Sequence, residues 1–167
     1  MSVTSSNRAQ VTTPADDEIL IVREFDAPKD LVYKAWTTPE LVRRWWSGRR
    51  GEMTVVEIDL RVGGRWRYVM VANGGFEVGF HGEYREIVPN ERLVTTEVYE
   101  GPEAAHLPES EAPTNIVTFT EEAGRTTVSL LTECSSKELR DVIVNSGMEA
   151  GVQEQLELLE ELARSLA

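Results

Sequence analysis

The side chains able to move protons or hold metals are few and scattered. The chain has two histidines, His81 and His106, and one cysteine, Cys134. General acid–base work needs a positioned imidazole, or a carboxyl whose pKa is moved toward neutrality. His81 beside Glu83 or Glu97 could supply such a pair; an ordinary strand histidine is the alternative reading. Two His and one Cys at these separations do not have the spacing of a zinc set, and neither a metal nor a cofactor is expected. The glycines at 74, 75, 79 and 82 do not have the spacing of a nucleotide loop, and no nucleophile elbow occurs. Cys134 reads as a small buried hydrophobe. What the sequence does concentrate is aromatic surface. Trp36, Trp45, Trp66, Tyr68, Met70, Phe80, Tyr84 and Phe119 either wall a pocket for an apolar ligand or form ordinary core. Arg43-Arg44-Trp45-Trp46-Ser47-Gly48-Arg49-Arg50 is the one basic patch. It suits an anionic ligand, a phosphate or a membrane surface, or else a solvated face with Trp beneath Arg stems. The net charge of -12 argues against nucleic acid as a partner.

These residues need elements to position them, and the periodicity supplies a coarse set. A chain of 167 residues fits one domain, here 17–167, preceded by a Ser/Thr-rich stretch, 1–16, that reads as a disordered tail. Ile19 to Phe25 is a β-branched strand ended by Asp26-Ala27-Pro28. Two short helices follow. One has Pro28 in its first turn; the other begins at Thr38-Pro39 and stops at Gly48. From Met53 to Cys134 the period is close to two, giving about six consecutive strands, with Asn73-Gly74 as the strongest hairpin signal. Gly101 to Thr114 has no periodicity and reads as a loop, either a lid or plain acidic surface. Ser135 to Ala167 reads as one long amphipathic helix. Ser135 and Glu138 form its capping box, and Glu160 and its acidic neighbours take the polar face. Gly147 and Gly151 inside that helix should each cost about 1 kcal/mol relative to Ala. Successive strands with short turns pair antiparallel, and such a sheet needs one face covered. The expected class is therefore α+β, a curved antiparallel sheet of about seven strands wrapped around the C-terminal helix. The absence of an apolar leader, of a membrane-length apolar run and of paired cysteines makes a cytoplasmic protein the default expectation.

Four stretches together resemble a known family. They are Arg23 to Gly48, Asp59 to Trp66, His81 to Leu93 and Gly147 to Leu162. The order and content of these stretches resemble the activator of heat-shock-protein-90 ATPase-like group within the START/SRPBCC superfamily. The resemblance spans about Ile19 to Leu162 and implies a helix-grip fold with a hydrophobic cavity between the long helix and the sheet. It implies no single function. Binding of a small hydrophobic or aromatic molecule, such as a lipid or polyketide, in stress response or self-resistance is the first expectation. A co-chaperone-like module acting on a chaperone ATPase is the second, and a cyclase- or hydrolase-like enzyme using the cavity is the third. A monomer and a homodimer are equally compatible. The cavity would be lined by the aromatic set above with Met148, Gly151 and Val152. Two positions depart from the family pattern. Val152 stands where the family often has Trp, which would enlarge the cavity. Glu97 stands where an aromatic is common, and it would place one acid inside if it faces inward. Both faces of Leu93 to Tyr99 carry apolar residues, so alternation leaves that face open.

Overall fold

A computed structural model describes residues 7–100 and 111–167. Nine strands form one antiparallel sheet among the described residues: β1 (Gln10–Thr12), β2 (Glu18–Phe25), β3 (Gly51–Ile58), β4 (Arg65–Ala72), β5 (Glu77–Val88), β6 (Arg92–Thr96), β7 (Val98–Glu100), β8 (Thr114–Glu122) and β9 (Arg125–Glu133). Their order across the sheet is β1-β2-β9-β8-β6-β5-β4-β3, with β7 also paired to β5. Helices α1 (Lys29–Thr37) and α2 (Pro39–Trp45) follow β2, and α3 (Lys137–Val144) and α4 (Met148–Ser165) close the chain. No helix among the described residues is long and apolar enough to cross a membrane.

Period-two alternation decides which face is inner. On β2 the buried residues are Ile19, Ile21, Arg23 and Phe25, and on β9 they include Thr126, Val128 and Thr132. Phe119 of β8 lies on the same side, with its ring edge against Tyr33 and Trp36 of α1, so the helices cover this face. The core joins the inner face to α1, α2 and α4, with Val32, Val42, Leu159 and Ala163 fully enclosed.

Four sequence expectations change. The stretch expected to be a disordered tail is ordered from Asn7 onward. β1 pairs with Leu20–Val22, and Asn7 and Ala9 are buried, because backbone and side-chain hydrogen bonds replace the missing apolar periodicity. One of the strands expected between Met53 and Cys134, the one carrying Leu93 to Tyr99, is two, interrupted at Glu97, which with β1 raises the count to nine. The single long C-terminal helix is two helices. Gly147 adopts φ +85°, a left-handed backbone that no α-helix passes through, so α3 ends at Val144 and α4 restarts at Met148. Gly147 is thus a linker, and the helix-interior cost does not apply to it. The cap of α3 is Ser136, whose Oγ accepts from the Leu139 amide at 3.1 Å, and Ser135 lies outside it. The Asn73-Gly74 turn is present between β4 and β5, with the positive φ carried by Gly75.

Candidate functional site

Burial along α4 is uneven. All of its buried residues, Leu156, Leu159, Glu160, Leu162 and Ala163, lie from Leu156 onward. Met148, Gly151, Val152 and Gln155 in the first half are only half-buried. Leu139 and Ile143 of α3 are half-buried as well, and α3 has no buried residue. The helix direction follows from two contacts. Gln153 exchanges two hydrogen bonds with the backbone of Ala9, and Glu160 accepts from Asn7. Pairing of β1 with β2 sets Ala9 before Asn7 on the way toward Phe25. So α4 advances toward the Phe25 end of β2, and its loosely packed first turns lie toward the Glu18 end. Glu133, Thr114 and Thr96 line up with Glu18 at that end.

Aromatic side chains cross the inner face in two rows. Tyr99, Phe80, Trp46, Tyr68 and Trp66 contact in succession, with ring centroids 5.1, 5.5, 5.5 and 4.8 Å apart. Trp45, Trp36 and Phe119 form the second row at 5.3 and 5.7 Å. Of the residues expected in a pocket wall, Trp45, Trp66, Tyr68, Tyr84 and Phe119 are buried core. Trp36, Met70, Phe80, Met148 and Val152 pack on that core with part of their surface open. Burial drives the phenols of Tyr68 and Tyr84 upward in pKa, so both are neutral donors. Gly151 does not face the sheet: an added Cβ there would meet only the Arg50 guanidinium, at 3.9 Å. Trp46 and Tyr99 were not in the expected wall. Only the ring contacts place them there, because nothing in the sequence distinguishes Trp46 from its buried neighbour Trp45.

Glu97 faces inward. Its place is set by a local device around Gly82. The Trp66 indole donates to the Thr96 carbonyl at 3.2 Å, and the Glu83 amide donates to the Thr96 hydroxyl at 3.0 Å. Only glycine at position 82 leaves room for this, since a Cβ there would sit 1.9 Å from the Thr96 oxygen and 2.7 Å from the indole nitrogen. The Thr96 carbonyl is thereby committed to Trp66, the strand breaks, and the Glu97 amide bonds the Pro113 carbonyl at 3.0 Å. The Glu97 carboxyl then lies near the Asn115 side chain on the inner face of β8. Asn115 accepts from the Thr132 hydroxyl at 2.7 Å, so its NH2 is the group left for Glu97. Burial pushes the Glu97 carboxyl up in pKa, and the Asn115 hydrogen bond offsets part of that. The Cys134 thiol is pushed up as well, mainly by burial and then by Asp17, with Glu97 adding a smaller push.

The remaining candidates lie elsewhere. His81 projects from the outer face with Arg67, where both bond Glu100; that Arg67 hydrogen bond, ahead of His81's, holds the Glu100 carboxyl below its ordinary range. The nearest depression there, between Arg65, His81, Glu83 and Arg85, holds about 40 Å³. His81 and Glu97 are therefore on opposite faces and form no acid–base pair. Arg49 and Arg50 of the basic patch bond Glu154 and Glu157 of α4. No group of three or more His, Cys, Asp or Glu able to hold a metal occurs among the described residues. His106, in the loop read as a lid or surface, lies outside the described residues.

Comparison with known proteins gives a consistent result. The pattern of the family described as Activator of Hsp90 ATPase homolog 1-like protein matches residues 26–164. A crystal structure of a protein from Chromobacterium violaceum is 27% identical, with a TM-score of 0.75 over 89% of this chain and 98% of that one. One from Rhodobacter sphaeroides is 21% identical, with a TM-score of 0.85 over 95% and 99%. The solution structure of a protein described as AHSA1-like, from Aeromonas hydrophila, is 21% identical, with a TM-score of 0.63 over 88% and 93%. No curated protein matches the chain.

Proposed function

The chain belongs to the Activator of Hsp90 ATPase homolog 1-like protein family, and we propose that it binds a small apolar or aromatic molecule in a trough between the first turns of α4 and the inner face of the sheet. The observation that carries this reading is the burial gradient along α4. From Leu156 onward it seals the core, while Met148 and Val152 before that point stay half-open with Trp36 and Phe80. Partly open apolar and aromatic side chains that also pack on a core are what a binding wall presents. Among the described residues, no geometric feature singles out a surface for the chaperone-directed role named in the family description. Of the pair His81 and Glu97, only Glu97 could take part in a catalytic role on the inner face, since His81 lies on the other face.

Titration with a neutral fluorescent probe such as phenylnaphthylamine tests the reading. Saturable binding is expected. Val152→Trp should fill the trough, weakening the probe by about tenfold or more, equivalent to ~1.4 kcal/mol, with the thermal midpoint retained. No saturable binding, or equal binding by the Trp variant, would overturn it.

A further inference from the structure

Among the described residues, Glu97 is an inner-face carboxyl for which no cationic partner is found. Arg23 and Glu160 neutralise each other at the sealed end. Glu97, at the open end, has the Asn115 amide as its side-chain partner, and no ion pair reaches it among the described residues. Residues 1–6 and 101–110 contain no Lys or Arg, so every Lys and Arg of the chain is among those described. A carboxylate accepts through both oxygens, roughly four lone-pair sites, and one amide occupies few of them. Next to it stands an aromatic face. Tyr99 is two residues on, about 7 Å along an extended chain, and keeps 42% of its surface exposed while its ring packs on Phe80. A carboxylate near a part-open aromatic ring is the chemistry that recognises an organic cation.

We propose that Glu97 is the polar anchor of the trough, and that the ligand is a compact apolar or aromatic molecule bearing a protonated amine. Asn115, held by Thr132, orients the carboxylate. The rings of Phe80 and Tyr99 flank the ammonium, and the apolar body extends toward Met148 and Val152. This rests on the trough reading above and adds the charge its ligand must carry. The raised pKa of Glu97 agrees with a carboxyl that lacks its counter-ion in the unliganded protein.

Calorimetric titration with naphthylmethylamine and the near-isosteric naphthylmethanol tests it, on the full chain and on Glu97→Gln. The amine should bind about tenfold or more tighter than the alcohol. Glu97→Gln should abolish the amine's preference over the alcohol. Binding of both probes without an amine preference, or a preference that survives Glu97→Gln, overturns the proposal and leaves the trough standing. Failure of both probes, together with failure of the neutral fluorescent probe, removes the trough as well.

Discussion

At the scale of single residues, Glu97 and Gly82 act as a pair. Gly82 lets the Trp66 indole reach the Thr96 carbonyl, and that contact breaks the strand where Glu97 turns inward. Gly82→Ala should therefore destabilise toward the upper end of the roughly 1–3 kcal/mol that overpacking costs, lowering the melting temperature by about 2–4 °C per kcal/mol. Glu97 carries a pH dependence of definite sign. Its folded pKa is raised, so the folded state holds the proton more tightly than the unfolded one. Below the ordinary carboxyl range the group is neutral in both states and costs nothing; as pH rises through the raised value, ionisation in place removes stability. Glu97→Gln lacks this loss. Its melting temperature should exceed that of the parent near neutral pH, and the gap should close in acid; a gap independent of pH would show that the carboxyl is not desolvated.

At the scale of elements, the division of the C-terminal segment matters most. Gly147 and Gly151 look alike in sequence and are opposite in structure. Gly147 holds a left-handed linker, so Gly147→Ala should cost about 1–2 kcal/mol. Gly151 is inside α4 with its Cβ direction open toward Arg50, so Gly151→Ala should stabilise by up to ~1 kcal/mol through helix propensity. Opposite shifts in denaturant midpoint would confirm the assignment; equal losses would mean that both glycines serve close packing. The broken helix also explains why α3 has no fully buried residue while α4 seals the core: the two pieces need not share one apolar face.

At the scale of the whole molecule, one buried ion pair ties the sealed end together. Arg23 of β2 donates to Glu160 of α4 at 2.6 Å, its guanidinium lies 4.7 Å from the Phe25 ring centre, and Asn7 donates to both Glu160 oxygens. N-terminal segment, sheet and C-terminal helix meet there. Removing one partner strands a buried charge, so Arg23→Ala or Glu160→Ala should cost about 3–5 kcal/mol in chemical denaturation, whereas Arg23→Met with Glu160→Leu should recover most of it. A loss below ~1 kcal/mol for either single variant would show that the pair is solvated. Much of this fold was legible in the chain. Strand alternation, Pro39 at a helix start, turn glycines and the amphipathic C-terminus depend on local spacing, and they determined an antiparallel sheet covered by a helix. Periodicity could not decide what depends on contacts between distant residues. It put Glu160 on a polar face, because its partners Arg23 and Asn7 are 137 and 153 residues away. It read Gly147 as an interior helix glycine, because backbone φ is not written in residue type. It left Glu97 facing either way, because a carbonyl turned across Gly82 to Trp66, and not the strand's own alternation, settles the side on which that carboxyl lies.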